Sequence, residues 1–276
     1  MKTILLPTNF SEKSRNSIKY AIDMFGDEDV KFVLLNAYSL PNRPTELMVS
    51  ALRDEGDSER IEELENEFSQ CLGNKSEENY TVEIHCRFGR LSNVVLDYCR
   101  ENSVDYIIMG LKETNRINAI FNWVFNKKEW AQIVNCPVIY VPKNVKYKKP
   151  TRVILPVEMR NKFQKKEINP LVYIARKYKF HVTMITDFNE RNLKSENIDH
   201  FYELKDAFMD IEHSIAFHEG NNFTKGMEWY MLENNADLIV TVGGKMPVVS
   251  QFFQKNNVHN MVLNSSVPLL AINHFL

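Results

Sequence analysis

The chain has 276 residues, of which 44% are hydrophobic and 25% charged, a balance typical of a globular protein with one large or two ordinary domains. Its formal net charge of −2 lacks the surplus of lysine and arginine that a dedicated nucleic-acid-binding protein needs, so no nucleic-acid partner is expected. No apolar run approaches the roughly 20 residues that cross a bilayer and no secretory signal is found, so we expect a cytoplasmic protein with no membrane partner.

Short apolar runs alternate with longer stretches of helical period along the first half, a pattern typical of a parallel sheet with crossover helices. The first strand covers residues 4–6, and Ser11 is the predicted N-cap of a helix that Gly26 ends. The predicted elements that follow are a strand at 32–35, a helix or helix pair at 45–72, a strand at 80–86, a helix at 91–99, a strand at 106–109, a helix at 127–134 and a strand at 138–141.

The charged stretch at 45–72 is amphipathic. Its apolar spacing predicts an inner face that packs on the sheet. The residues of this face are Leu47, Leu52, Ile61, Leu64 and Phe68.

The second half repeats the order of the first. The strand segment Leu5-Leu6-Pro7 corresponds to Ile154-Leu155-Pro156, and Asp105 before the fourth strand corresponds to Asp237. The long charged helix shrinks in the second copy to a segment near 195–208. A repeat at the length of a whole domain indicates duplication, so we predict domains at residues 1–146 and 147–276.

Each half therefore has five predicted parallel strands with right-handed crossovers, which gives two doubly wound α/β domains. Ligands of such sheets bind outside the carboxyl ends of the strands, where the strand order reverses. In the first half this places a candidate site at Thr8-Asn9 and residues 110–126. In the second half it places one at Val157-Glu158 and residues 242–255.

Ordered motifs in both halves resemble the universal stress protein family. Residues 7–11 read Pro-Thr-Asn-Phe-Ser where the family has Pro-Thr-Asp-Phe-Ser, 105–110 read Asp-Tyr-Ile-Ile-Met-Gly, and 136–138 read Cys-Pro-Val. The resemblance implies a Rossmann-like fold of the adenine nucleotide alpha hydrolase type in each domain. Because family members pair through their last strand, it also implies an internal pseudo-dimer with 138–141 against 269–272, and it leaves a homodimer open.

Nucleotide-binding members of this family carry Gly-x-x-Gly, nine residues and then Gly-Ser or Gly-Thr after the fourth strand. Bare backbone and N–H groups at the start of a helix hold phosphates in such loops. Here Gly110 is kept, but Glu113 replaces the second glycine, and Trp123-Val124 or Val124-Phe125 replaces the later pair. A carboxylate about 4 Å from a phosphate costs on the order of 1 to 4 kcal/mol, enough with the lost hydroxyl to weaken a micromolar site to about millimolar.

The resemblance thus implies a vestigial nucleotide site, and we expect no cofactor. In the second half Val242 and Lys245 replace both glycines, although Glu158 keeps the acid that Asn9 replaces in the first. A loop that holds ATP or AMP by another path, with Lys112 or Arg116 as charge partners, stays open as the alternative. The residues of the vestigial site are Thr8, Asn9, Ala37, Gly110, Lys112, Glu113 and Val124.

Three other groups of residues were weighed for a function. No metal site is predicted, because the histidines at predicted strand ends lack the paired spacing of metal ligands: His181, His213 and His218. Three cysteines within apolar segments are predicted to be buried free thiols: Cys86, Cys99 and Cys136. An aromatic cluster is predicted to pack the last helix of the first half, the alternative being that it fills the emptied pocket or faces a partner; it consists of Phe121, Trp123, Phe125 and Trp130.

The sequence contains no nucleophile elbow, Walker loop, Gly-x-Gly-x-x-Gly or two-histidine zinc helix, so no enzyme is predicted. The leading hypothesis, inherited from the resemblance, is a non-enzymatic stress-response module for interaction or signalling that recognises a protein partner. The alternatives are an ATP- or AMP-binding stress protein and a carrier of a small apolar ligand.

Overall fold

The computed structural model describes residues 1–38, 56–73, 79–111, 136–157, 168–186, 202–217, 230, 233–242 and 267–272. The described residues divide into two compact units, the first up to Tyr147 and the second from Lys148. Three predicted features lie outside the described residues: the helix at 127–134, the aromatic cluster at 121–130 and residues 45–55 of the charged helix.

The first unit contains one five-stranded parallel sheet. Its strands are β1 (Lys2–Thr8), β2 (Val30–Tyr38), β3 (Tyr80–Phe88), β4 (Tyr106–Leu111) and β5 (Val138–Pro142), and its helices are α1 (Glu12–Phe25), α2 (Gly56–Leu72) and α3 (Leu91–Glu101). The strand order is β3-β2-β1-β4-β5, and every neighbouring pair is parallel. The order reverses between β2 and β4, on either side of β1, which confirms the predicted doubly wound topology.

The core of the first unit follows from apolar residues on both faces of its strands. Ile4, Leu5 and Leu6 of β1 are fully buried, as expected for a central parallel strand covered by helices on both sides. Ser11 is the N-cap of α1 as predicted, since its side chain accepts a hydrogen bond from the Ser14 N–H. The Gly26 N–H closes the last turn on the Ile22 carbonyl at 2.9 Å.

The buried face of α2 differs from the predicted one. Leu64 and Phe68 are buried, but Ile61 is 37% exposed, and Glu67 is buried in its place. The buried stripe starts at Leu64 and continues at helical spacing, so Ile61 lies one turn before the stripe begins. The stripe consists of Leu64, Glu67, Phe68, Cys71 and Leu72.

The second unit repeats this topology with shorter elements. Its strands are β6 (Arg152–Val157), β7 (His181–Thr186), β8 (His213–Phe217), β9 (Leu238–Val242) and β10 (Leu269–Ile272), and its helix α4 is Asn169–Tyr178. The strand order is β8-β7-β6-β9-β10, again parallel throughout and equivalent to that of the first unit. Residues 202–207 form the described part of the shortened helix predicted near 195–208.

The aspartate before the fourth strand has the same structural role in both units. Asp105 Oδ2 accepts a hydrogen bond from the Thr3 N–H at 2.8 Å, beside the start of β1. Asp237 Oδ2 accepts three, from the Thr151 N–H at 2.9 Å, the Thr151 hydroxyl at 2.6 Å and the Arg152 N–H at 3.0 Å. The repeated Asp motif therefore fastens the fourth strand of each unit to its first.

Candidate functional site

The candidate site lies at the carboxyl ends of β1, β2 and β4, where the strand order of the first unit reverses. Four of the seven predicted site residues are described, and all four lie at this end of the sheet: Thr8, Asn9, Ala37 and Gly110. The other three lie outside the described residues: Lys112, Glu113 and Val124.

Thr8 is buried at the end of β1, and its hydroxyl and its carbonyl are both hydrogen-bonded within the protein. Its hydroxyl donates to Glu67 Oε2 of α2 at 2.8 Å and accepts the Phe10 N–H at 3.2 Å. Its carbonyl accepts the side-chain amide of the buried Asn36, at the end of β2, at 2.9 Å. The Thr8 hydroxyl is thus committed to the protein itself and is not free for a ligand.

Glu67 brings an acidic group into the interior beneath this strand end. Its side chain is 2% exposed, and Arg15 Nε of α1 lies 3.3 Å from Glu67 Oε1 with the rest of the arginine reaching solvent. Burial raises the pKa of Glu67, while the hydrogen bond from Thr8 and the charge of Arg15 act in the opposite direction without reversing the shift. We call these residues the Thr8–Glu67–Arg15 cluster.

Cys71, one turn after Glu67, belongs to the same packing. Its Sγ lies 3.6 Å from the Arg15 carbonyl oxygen, and burial together with the charge of Glu67 raises its pKa to about 11. A thiol with such a pKa is protonated and unreactive at neutral pH. Cys71 is a packing residue that the sequence interpretation did not select.

Asn9 is exposed and organises the turn between β1 and α1. Its Oδ1 accepts the hydroxyls of Ser11 at 2.7 Å and Ser14 at 3.4 Å, and the following residue, Phe10, has a left-handed backbone with φ 60°. Such a conformation is uncommon for an aromatic residue and depends on the hydrogen bonds around it. Asn9 Oδ1, at the position where the family has an aspartate, therefore accepts hydrogen bonds from residues at the start of α1.

Gly110 owes its identity to packing. A Cβ at this position would lie 2.3 Å from the Lys13 carbonyl oxygen and 2.6 Å from its carbonyl carbon. No side chain fits into this contact between the end of β4 and the first turn of α1. The glycine is required by the fold whether or not a phosphate binds beside it.

Ala37 is half-exposed and precedes an aromatic contact at the edge of the same sheet. Tyr38 and Phe88 meet edge to face with ring centroids 6.0 Å apart, and the Arg60 guanidinium lies 4.6 Å above the Tyr38 ring. Phe88 is 62% exposed. We call Tyr38, Phe88 and Arg60 the edge patch, since β3 is the outer strand of the sheet in the first unit.

In the second unit, the equivalent ends of β6 and β9 are apolar, whereas β7 ends in the buried Thr186. Val157 and Val242 are both buried, whereas Glu158 and residues 243–255 lie outside the described residues. His181 Nδ1 lies 3.4 Å from the Thr183 hydroxyl, and His213 Nδ1 lies 2.8 Å from the Ile211 carbonyl. Within the described ranges no three His, Cys, Asp or Glu residues are grouped as a metal site would require.

Comparison with known families identifies this architecture. The sequence profile of the Universal stress protein family matches residues 1–142, just over half of the 276-residue chain. The chain belongs to the universal stress protein family. The predicted resemblance is thereby confirmed, and the doubly wound fold of both units agrees with it.

Solved structures similar to this universal stress protein extend over both of its units. A universal stress protein from Archaeoglobus fulgidus DSM 4304 shares 16% identity and a TM-score of 0.64, covering 99% of this chain and 96% of its own. A functionally unknown protein from Pseudomonas aeruginosa PAO1 shares 12% sequence identity at a TM-score of 0.52, and the match covers 99% of this chain and 93% of that protein. The cytoplasmic domain of a prokaryotic cation chloride cotransporter shares 9% sequence identity at a TM-score of 0.50, and the match covers 99% of this chain and 95% of that domain. No curated protein matches the sequence. At these identities the likeness establishes the fold.

The residues of this universal stress protein that sequence reasoning missed are Glu67 and Arg15. Both are charged residues on amphipathic helices, a pattern that assigns them to solvent. The signal that was present is the position of Glu67, three residues after Leu64 and next to Phe68, on the predicted inner face of α2. No described helix is long and apolar enough to span a membrane.

Proposed function

We propose that this universal stress protein is a non-enzymatic module for interaction or signalling whose nucleotide site is degenerate in both halves. The observation that carries the proposal is the Thr8–Glu67–Arg15 cluster, which uses the strand-end hydroxyl internally and buries a carboxyl group beneath it. A carboxylate near phosphates opposes their binding by on the order of 1 to 4 kcal/mol at surface-like dielectric constants. Glu113, at the family's second glycine position, adds a further acidic group.

Two residues at motif positions, the retained Gly110 and the substituted Asn9, have structural explanations, which supports degeneracy. Gly110 is required by its contact with the Lys13 backbone. The Asn9 side chain accepts hydrogen bonds from the first turn of α1. Neither residue therefore needs a nucleotide to account for it, and the remaining motif positions carry bulky or acidic side chains.

Calorimetric titration of ATP and AMP into the full-length protein, with and without magnesium, tests the proposal. We expect no saturable heat under conditions that detect a Kd of about 100 µM, which corresponds to about −5.5 kcal/mol. A saturating isotherm would establish the alternative, an ATP- or AMP-binding stress protein with a divergent phosphate loop.

A variant that restores the family motif serves as the matched control for this titration. Glu113→Gly combined with Val124→Ser removes the acidic group and returns a hydroxyl donor to the loop. We expect the double variant to bind ATP at least about tenfold more tightly than the parent chain, a gain of about 1.4 kcal/mol. Equal, measurable binding by both chains would show that these two positions do not weaken the site.

The edge patch supports a protein partner for this module. Tyrosine, phenylalanine and arginine are enriched at the centres of protein interfaces, and here Tyr38 contacts both Phe88 of the outer strand β3 and Arg60 of α2. Val82, on the same strand, is 37% exposed. The arginine favours a partner that presents acidic side chains beside apolar ones.

Cross-linking of the tagged full-length protein in cell extract tests this surface. Phe88→Ser is expected to reduce recovery of a specific partner at least about tenfold, because a central aromatic contact contributes about 2 kcal/mol or more. Met209→Ser is the matched control, since Met209 is 76% exposed and belongs to the second unit. Equal recovery with both variants would remove the patch from the proposed function.

A further inference from the structure

Two cysteines of the first unit are brought together at the end of its sheet opposite to the candidate site. Cys99 lies in the last turn of α3, which leads into β4, and Cys136 lies two residues before β5. The start of β5 lies beside the start of β4, since Val138 is paired with Ile107. The Cys136 thiol is hydrogen-bonded to Cys99, and both are free thiols in this structure.

The two thiols differ in accessibility and in acidity. Cys99 and Cys86 are only partly buried, which corrects the prediction that both are buried, whereas Cys136 is 3% exposed as predicted. The hydrogen bond from Cys136 lowers the pKa of Cys99 in spite of partial burial. The same contact and its own burial raise the pKa of Cys136. A partly accessible thiol with a lowered pKa beside a buried thiol with a raised pKa is the arrangement of a reactive cysteine with its resolving partner.

We propose that Cys99 and Cys136 form a peroxide-sensitive thiol pair that closes to an intramolecular disulfide. The Cys99 thiolate attacks hydrogen peroxide, so that an S–O bond forms, the O–O bond breaks and the departing hydroxide takes up the proton that Cys99 released. The Cys136 sulfur then attacks the sulfenic acid, so that the S–S bond forms and the S–O bond breaks, and its proton leaves with the oxygen as water. Two thiols lose two electrons in total, and one peroxide becomes two waters.

The closed loop would enclose the segment that carries the degenerate phosphate motif. Residues 99–136 include β4, Gly110 and the whole predicted loop at 110–126. A cross-link between the ends of a segment reduces the number of conformations open to the chain between them. Oxidation of the thiol pair would therefore link the two ends of this segment covalently, whether or not a nucleotide binds.

Peptide mapping by mass spectrometry under non-reducing conditions tests the proposal. The reduced full-length protein is treated with a few molar equivalents of hydrogen peroxide and then digested. We expect two of the four free thiols to be lost, with Cys99 and Cys136 recovered in one linked peptide that dithiothreitol releases. Linkage through Cys71 or Cys86, or a disulfide between two chains, would overturn the assignment.

Serine variants separate the two roles. Cys136→Ser should leave Cys99 as a sulfenic acid that dimedone labels, whereas Cys99→Ser should abolish both the label and the disulfide. Cys71→Ser and Cys86→Ser are matched controls that should still form the 99–136 link. Circular dichroism shows whether each variant is folded, and the mapping of the parent chain decides the proposal if one is not. Absence of dimedone labelling in a folded Cys136→Ser protein would contradict the role of Cys99.

Discussion

Glu67 carries a pH-dependent cost of folding, because burial raises its pKa above the value it has in the unfolded chain. The folded protein then holds this proton to a higher pH than the unfolded chain, in which a glutamate titrates near about 4.3. Consequently, the contribution of Glu67 to the free energy of unfolding falls as pH rises from the unfolded pKa through the folded one, and stays at its lower level above that.

A neutral side chain at this position should remove that pH dependence. Glu67→Gln keeps an acceptor for the Thr8 hydroxyl but does not titrate, so we expect it to gain stability relative to the parent chain between about pH 4 and pH 7. Glu67→Ala instead leaves the buried Thr8 hydroxyl without its partner and should cost about 1 to 3 kcal/mol.

Urea denaturation at several pH values measures both effects. Glu65→Gln is the matched control, because Glu65 is exposed on the same helix. A stability difference between the parent chain and Glu67→Gln that is constant over this pH range would refute the buried, titrating carboxyl.

At the scale of elements, the sequence predicts whatever depends on local periodicity. The apolar runs of β1 and β4 and the cap of α1 were placed correctly because their signals lie within a few residues. The burial of Glu67 depends on Thr8, a hydrogen-bond partner 59 residues away on another element. Amphipathic spacing does not contain that information, and for this reason Ile61 was predicted on the inner face of α2 and Glu67 was not.

The role of Gly110 shows the same limit in the candidate site. A motif comparison predicts this glycine as a phosphate contact, but its tight contact is with the backbone of α1. The position of the site at the strand ends could be predicted, since topology fixes it. The packing that requires the glycine could not, since it depends on how closely α1 approaches β4.

Replacement of Gly110 should therefore destabilise the first unit. Gly110→Ala forces α1 away from β4, and we expect a cost of about 1 to 3 kcal/mol, as for other overpacking substitutions. Thermal and urea denaturation without any nucleotide measure this cost. Gly73→Asn is the control, since a Cβ at Gly73 meets no atom within 4 Å and asparagine tolerates its φ of 63°. A Gly110→Ala protein as stable as its parent would return Gly110 to a purely ligand-binding role.

At the scale of the whole molecule, the two units share one hydrogen-bonded connection between strands but differ in its strength. Both units fasten their fourth strand to their first through an aspartate. Asp237 accepts four hydrogen bonds, three at Oδ2 and one at Oδ1 from Lys148 Nζ at 3.3 Å. Asp105 accepts one from the Thr3 N–H and lies 3.9 Å from Lys2 Nζ. Burial alone would raise the pKa of Asp237, but the hydrogen bonds from Thr151 and Arg152 outweigh it and lower the pKa.

The two aspartates should accordingly differ in what their removal costs. Asp237→Ala leaves the Thr151 and Arg152 N–H groups unpaired, and we expect it to lose about 2 to 3 kcal/mol, against about 1 kcal/mol for Asp105→Ala. Hydrogen exchange resolved by peptide should show lost protection in β6 and β9 for the first variant and in β1 and β4 for the second. Because the folded pKa of Asp237 is lowered, its contribution is complete above the unfolded value of about 3.9 and disappears as pH falls through the folded one. The deficit of Asp237→Ala should therefore vanish in strong acid, and a deficit that persists there would mean that packing, not the charged hydrogen bonds, is what the aspartate provides.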